Sequence, residues 1–472
     1  MSTPAPGPYV VAVVGGGVTG LAAARRLAQT GATVILLEGS DQLGGQIRTI
    51  ELAGRRVDVG AEALHLAAPS ARAVVDELGL GATVVGARPG TSWLWTPRGR
   101  RPLPEGVGPA GPTRLRPVLR SGVMTVTGIM RAGLEPLVAR LRRPLAVAED
   151  VSVGSFVTSR FGRQVTDRFV DPLLGGLHAG DVNELSLRAC APSLVPAASG
   201  RRSLVLKRPA RTPSSSPPAV MFASWHDGLS TLTDALLEGV DVDVRLGARV
   251  TALHRRDGAY RLDVSGSEPV VADAVVLAVP SSAAAGLVRP FAARAADTLV
   301  RQRFAGIATV VLGYPRAEVA GLPALAGNGI LVPSGTGTLL KAVTHLSTKW
   351  PHLDHGDTYL LRVSAGRDGA DELDRLDDEA LVARLRADLR RFTGIEATPT
   401  LVHVQRWATG LPQLHVGHLE RLHTVRAELA AELPGVVLAG ASYEGVGLTS
   451  CLTSAQTAAE SIMTILDEKK AA

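Results

Sequence analysis

Three glycines and one acid near the start of the chain have the types and spacing to hold a dinucleotide. Gly15, Gly17 and Gly20 form a G-x-G-x-x-G turn inside VVAVVGGGVTGLAAARRLA, residues 10–28, and Glu38 follows 23 positions after Gly15. Gly15 allows the tight turn, Gly17 lets the backbone approach a pyrophosphate, and Gly20 lets the following helix pack on the strand before it. The helix start offers unpaired N–H groups and the positive end of a dipole to the phosphates. Gly15, Gly16, Gly17, Val18, Thr19 and Gly20 are therefore assigned to the diphosphate. Glu38, with Gly39 beside it, closes the second strand, where a carboxylate accepts ribose hydroxyls and disfavours a 2′-phosphate. A second strand–glycine–helix unit closes the chain, VVLAGASYEGVGLTSCLTSAQTAAES at residues 436–461.

Several elements must position these residues. VVAVV (10–14) is a continuous apolar run and reads as a buried parallel strand. An Ala/Leu/Arg helix to about Thr30 and the strand TVILLE follow it. ADAVVLAVP (272–280), stopped by Pro280, is another buried strand that rejoins the first sheet, and DVDVRLGARVTALHR alternates as strands should. The boundaries read from these patterns give a dinucleotide domain from 1–85, 216–288 and 426–472. A mainly helical, Arg-rich insertion takes 86–215, and a mixed α+β substrate domain takes 289–425. RPARTPSSSPP (208–218) reads as an exposed linker. The fold class is α/β: a Rossmann-like domain assembled from both ends of the chain, with a second domain and an insertion.

At 472 residues the chain is too long for one ordinary core. Its 46% apolar and 20% charged residues describe a globular protein, not a disordered or fibrous one. Two cysteines, Cys190 and Cys451, cannot build a disulfide framework, which fits a reducing compartment. MSTPAPGP lacks a charged leader region, and Gly15, Gly16, Gly17 and Gly20 interrupt the apolar stretch after it, so the reading is cytoplasmic. The net charge of +6 is local: from Arg88 to Arg143 there are eleven arginines and two acids, Glu105 and Glu135. No aromatic residues alternate with those bases, so nucleic acid is not the partner read here. An anionic small substrate, an anionic membrane surface touched peripherally, or a solvated basic face each explains the charge. His415 and His418 form an i, i+3 pair with no third ligand nearby in sequence, and no metal site is assigned. Cys451 reads as packed rather than reactive. No nucleophile elbow or P-loop is present, and no catalytic acid or base is assigned.

GSDQLGGQIRTIELAGRRVDVGAEAL, after the second strand, resembles the same segment of the amine oxidase–like flavoproteins. There a paired glycine, here Gly44-Gly45, and a basic residue, here Arg48, face the flavin side of FAD. Gln46 stands where those families often carry Arg or Lys. VDVGAE resembles their next turn, which implies that Gly60, Ala61, Glu62 and Ala63 lie near the flavin. RWATGLPQLHVGHLERL (406–422), LAGASYEGVGLTSCLTSAQTAAE (438–460), LRVSAGRDG and KAVTHLSTKW (341–350) look like the FAD-dependent protoporphyrinogen and coproporphyrinogen oxidases, Gram-positive type. Leu414 replaces an aromatic common after the PQ pair, and Thr449-Ser450 replaces a Pro-Asp or Asn-Asp before the last cysteine.

The resemblance implies an FAD cofactor, with Val446, Gly447 and Leu448 and the last helix at the flavin ring. It places Trp407 beside the cofactor, Gly440 in the last turn, and Val250 near the adenosine half. It implies a six-electron oxidation of a porphyrinogen, with dioxygen as oxidant and hydrogen peroxide released, in haem biosynthesis. Coproporphyrinogen III, with four propionates, suits the arginine-rich stretch better than protoporphyrinogen IX, with two; both stay open. Arg98, Arg100 and Arg101 are assigned to the substrate side, with Glu62, or to the surface. A transient contact with ferrochelatase is also implied. A flavin amine oxidase shares the fold but carries an aromatic–glycine signature absent here, and a non-catalytic FAD-binding protein is the remaining alternative.

Overall fold

The computed structural model describes residues 9–146, 148–206, 220–256 and 258–471; the first eight residues and the 208–218 linker lie outside them. Five parallel strands form the central sheet, in the order Val242–Arg245, Thr33–Leu37, Val10–Val14, Ala274–Leu277 and Val436–Leu438. Val11 pairs with Val34 on one side and Ala274 on the other, so the first strand sits at the centre with no solvent face. That is why VVAVV is apolar throughout rather than alternating. One face packs Val11, Val13, Leu36 and Val276 against the helices Val18–Gln29 and Leu448–Ala471, through Leu21, Leu27, Ala455 and Ile462. The other face packs Ala12, Val14, Val275 and Leu277 against a three-stranded sheet and helices Ser281–Val288, Ala293–Val300 and His418–Glu432.

A second sheet of seven strands runs in the order 401–412, 304–315, 358–365, 340–344, 329–331, 92–96 and 99–102. One of its faces is covered by the helix Asp378–Thr393, whose Leu381, Leu385 and Leu389 meet Val310, Leu312 and Val363. Asp377 caps that helix by accepting from the Ala380 N–H at 2.8 Å, and Gly394 ends it at φ +73°. The other face looks toward a helical lobe between Leu115 and Ser199, with Leu94 and Leu331 packed into the core of that lobe.

The α/β class expected from the sequence is the class observed. Two boundaries differ. The helical insertion expected from 86 opens instead with strands Ser92–Thr96 and Gly99–Pro102, which extend the seven-stranded sheet. Trp93 and Trp95 point to the helix side and Leu94 to the lobe, a period of two that the surrounding Pro, Gly and Arg obscure in the sequence. The substrate domain expected over 289–425 also gives up two helices, Ala293–Val300 and His418–Glu432, because their apolar faces bury against the parallel sheet.

The lobe is tied together by a buried ion pair. Glu135, one of the two acids in the arginine-rich stretch, is fully buried and lies 3.1 Å from Arg160 Nε. It also accepts from Ser203 Oγ at 2.5 Å and the Leu204 N–H at 3.2 Å. Glu135→Ala would strand the Arg160 charge in the core, and a loss of about 3–5 kcal/mol in unfolding free energy is expected from urea denaturation. The Glu135→Leu/Arg160→Met double variant should recover most of it.

Candidate functional site

The site begins where the central strand stops. Gly15 turns at φ +106° and donates its N–H to the Leu37 carbonyl at 2.8 Å. A Cβ there would lie 2.5 Å from the Ala278 carbonyl oxygen, and one on Gly20 would overlap the Gly15 carbonyl oxygen. The turn is thus closed on its sheet side and open toward a ligand. The helix that follows has Gly17 at its cap position, with no side-chain cap and no acid in its first turn. The first N–H groups of a helix have no internal acceptor, so those of Val18, Thr19 and Gly20 face the turn available to an anion. Glu38 accepts from the Gly16 N–H at 2.6 Å and the Ser40 N–H at 2.7 Å, which fixes its carboxylate at the end of the turn. The Ala248 N–H donates to the Glu38 carbonyl at 2.7 Å, and Gly39 lies against Arg249, so Val250 begins its strand at this same end.

The second glycine cluster packs on the first. The Gly44 N–H donates to the Gly16 carbonyl at 2.8 Å, Gly17 and Gly44 form a parallel bridge, and a Cβ on Gly45 would lie 3.1 Å from Gly17 Cα. Beyond it, Gln46 does not project a side chain for charge recognition: its Nε2 donates to the Gly410 carbonyl, and its own carbonyl accepts from the Ala61 N–H at 2.8 Å. A Cβ on Gly60 would overlap the Gln46 carbonyl and lie 3.1 Å from the Trp407 ring. Gln46, Gly60, Ala61 and Trp407 thus meet at the end of the turn opposite Glu38 and Val250. With its amide oxygen turned toward Arg48, Gln42 accepts from the Arg48 guanidinium at 2.8 Å.

Glu62 has a role that its position in sequence does not reveal. Its carboxylate lies 2.5 Å from Lys349 Nζ and 2.9 Å from Arg362, and accepts from the Trp350 indole at 3.0 Å. Burial alone would raise its pKa, but Lys349 and Arg362 hold it down to about 2. Arg362 also donates to the Gly60 carbonyl at 3.0 Å. This network locks the turn bearing Gly60, Ala61 and Ala63 to the seven-stranded sheet.

The last turn arrives from the far end of the chain. Gly440 turns at φ +116°, donates to Ser454 Oγ at 2.9 Å, and lies beside Thr19 of the first turn. Gly445 turns at φ +139°, and the Leu448–Ala471 helix begins three residues later. Among the described residues, no acceptor takes the N–H groups of Val446, Gly447 or Leu448. A 24-residue helix therefore presents the positive end of its dipole at this turn. Cys451 is buried within it, and burial raises its thiol pKa. Together the two turns form a cradle lined by backbone N–H groups, with the starts of the first and last helices beside each other where Gly440 meets Thr19.

Other candidates part from this site. Arg100 stacks 4.3 Å over Trp93 and donates to the Pro323 and Ala324 carbonyls, so it closes a turn and is not free for substrate. Arg98 is exposed, and Arg101 Nε is buried without a partner. His415 does find acids the local sequence could not show: Glu184 and Asp368 bring carboxylates within 4.8 Å of it. Arg303 already lies 3.0 Å from Asp368 and 3.7 Å from Glu184 and occupies the place of a cation. His418 points elsewhere and donates to the Tyr443 carbonyl at 2.7 Å. The sequence reading assigns no role to Lys349, Arg362 or Lys341; for Arg362 and Lys341 the signal available was a basic residue inside an otherwise buried strand, and Lys349, at the end of the helix Leu346–Lys349, gives no such signal.

The fold and cradle define a flavin-dependent oxidoreductase class, and comparison agrees. The flavin containing amine oxidoreductase family matches residues 18–463, and the chain belongs to it. Coproporphyrinogen III oxidase of Mycobacterium tuberculosis is 35% identical over 98% of this chain and 99% of its own. That of Bacillus subtilis is 29% identical over 97% and 98%. Protoporphyrinogen oxidase of Macaca fascicularis is 32% identical over 96% and 98%. Among solved structures, one assigned as a protoporphyrinogen oxidase from Exiguobacterium sp. 255-15 superposes with a TM-score of 0.84 at 29% identity, covering 97% of this chain and 99% of that one. A putrescine oxidase shares the fold at a TM-score of 0.69 and 19% identity, covering 97% and 99%.

Gly20→Ala is expected to purify without the visible absorbance of bound flavin while keeping its far-ultraviolet circular dichroism. For Glu62, a folded pKa near 2 lies below the ordinary 4.5, so its stabilisation is present above pH 4.5 and is lost as pH falls toward 2. Glu62→Gln should therefore cost on the order of 3 kcal/mol at neutral pH. That difference from wild type should shrink between those two pH values in urea titrations, whereas a pH-independent loss would contradict it.

Proposed function

We propose that the chain is an FAD-dependent oxidase that converts coproporphyrinogen III to coproporphyrin III in the cytoplasm, within haem biosynthesis. The observation that carries this reading is the end-to-end likeness to coproporphyrinogen III oxidases, which includes both the glycine cradle and the lobe facing it. When bound, FAD supplies a two-electron acceptor that dioxygen reoxidises with release of hydrogen peroxide, and a porphyrinogen needs three such removals.

The residues of the chain bind and orient. Gly15–Gly20 and the first helix hold the diphosphate, and Glu38 holds the ribose. The N–H groups of Val446, Gly447 and Leu448, backed by the last helix, favour negative charge beside the ring. Trp407 and the Glu62–Lys349–Arg362 network fix the ring-side wall. With imine–enamine tautomerisation between cycles carrying the remaining meso proton to nitrogen, the pyrrole N–H groups of the substrate can release the accompanying protons, so positioning carries the rate and no residue is assigned as acid or base.

Among the described residues, no helix is long and apolar enough to cross a membrane. Val126, Met130, Leu134, Leu137 and Leu141 are exposed on the lobe among exposed Arg120, Arg140, Arg142 and Arg143, which supports a peripheral contact with an anionic membrane. Ferrochelatase, as consumer of the product, is the protein partner this reading implies.

The test is aerobic kcat/KM on coproporphyrinogen III and protoporphyrinogen IX, read by porphyrin fluorescence. A clear preference for the four-propionate substrate is expected. Preference for the two-propionate substrate would overturn the choice of substrate, and inactivity toward both would overturn the function.

A further inference from the structure

One buried cation has no counterpart. Lys341 lies on the Leu340–Thr344 strand and is 6% exposed. Among the described residues it makes no ion pair, and its ammonium has no hydrogen bond; a buried lysine ordinarily has one or the other. The strand shifts register here: Leu340 pairs with Ala365 and Ala342 with Ser364, so Lys341 is the extra residue of a bulge. Bulges of this kind re-aim a side chain and are frequent beside active sites.

The charges Lys341 faces are Arg362 and Arg367. Arg362 is committed to Glu62 and to the Asp58 and Gly60 carbonyls. Arg367 donates from one Nη to the Val332 carbonyl at 2.9 Å, while its other Nη is buried without a partner. Asp171, from the lobe, interacts electrostatically with Arg367, and its Oδ2 accepts from the Ser334 N–H at 2.7 Å. Four buried or half-buried cations, Lys341, Lys349, Arg362 and Arg367, thus lie among three carboxylates, Glu62, Asp58 and Asp171, with no carboxylate on Lys341 among the described residues. Burial and the two arginines pull the Lys341 pKa down to about 7.

The sheet face sets the distance to the cofactor end. Ser364 pairs across to Thr309, and Trp407 pairs with Ile307 on the same side of the sheet. Lys341 therefore stands three strands from Trp407, about 14 Å at the usual interstrand spacing. That is the scale on which a tetrapyrrole would reach from a reacting edge to an acidic side chain on its far side.

We infer that Lys341 and Arg367 form the binding point for one propionate carboxylate of the macrocycle, a contact that selects for substrates with more acidic side chains. The inference rests on the porphyrinogen reading above. A carboxylate there satisfies the Lys341 ammonium and the unpartnered Arg367 Nη together and neutralises the excess of positive charge. It also raises the affinity of Lys341 for its proton, which burial and the two arginines lower.

The test has two arms. In the first, KM and kcat for coproporphyrinogen III are compared in wild type, Lys341→Met and Lys341→Arg, each with flavin absorbance as the check of folding. Lys341→Met should raise KM about tenfold or more, the worth of a charge-assisted hydrogen bond, with kcat little changed, and Lys341→Arg should recover most of it. In the second, proton uptake by wild type is read with an indicator dye in weak buffer at pH 8 as coproporphyrin III, which carries the same carboxylates, is added. Net proton uptake on porphyrin binding is expected. An unchanged KM in Lys341→Met, or no proton uptake by wild type, overturns the inference, and the second arm decides if the variant does not fold. A wild type that oxidises no porphyrinogen overturns the functional reading itself, a result seen before either arm is interpreted.

Discussion

Everything in this site depends on backbone meeting backbone where no side chain fits. Gly44 hydrogen-bonds Gly16, Gly45 rests on Gly17, and Gly60 rests on the Gln46 carbonyl. These contacts bring three separate turns to within one peptide thickness of each other. They leave N–H groups, rather than side chains, lining the space between them. A bound anion then meets dipoles held in place before it arrives, which is the arrangement that costs least to reorganise. The same closeness explains how residues more than four hundred positions apart share one site. The last helix lies against the first, and Gly440 lies beside Thr19.

Charge and apolar burial together fix how the second sheet meets this cradle: Val57 and Val59 pack with Val311, Trp350 and Leu360, and an ion-pair network joins the same layers. Glu62 reaches out of the cofactor turn to Lys349 and Arg362, and Arg362 reaches back to the Gly60 carbonyl. Such a pair adds little net stability over well-packed apolar groups, because desolvation offsets most of the attraction. What it does add is a single register between two layers. In the lobe, Glu135 and Arg160 act in the same way. The arginine-rich composition is therefore partly internal: Arg100, Arg131 and Arg160 serve carbonyls and a carboxylate inside the fold, and the exposed remainder forms the basic face.

The parallel sheet and both glycine turns were legible in the sequence because their signals are local. Strand VVAVV, the Gly15–Gly20 spacing and Glu38 each require particular residues within a few positions. What escaped is set by distant pairing. TSWLWT alternates as a strand and turns back on 99–102, but what joins this hairpin to the seven-stranded sheet is its pairing with 329–331, more than two hundred residues away. The helix His418–Glu432 carries an apolar stripe, but the stripe does not say which sheet it covers. Arg100 looks like a substrate ligand until Pro323 and Ala324 close beneath it. Glu62 was legible as a neighbour of the Gly60 turn, while its cations, Lys349 and Arg362, come from a helix and a strand nearly three hundred positions on.

The central claim, as proposed above, is that the two ends of one chain together hold a flavin joined to an adenosine by a diphosphate. Heat release of the flavin from purified protein, followed by chromatography and mass measurement, tests it most directly. Stoichiometric FAD is predicted, since Glu38, Gly39 and Val250 would otherwise line an empty half-site. Release of FMN, or of no flavin from well-folded protein, would contradict the account.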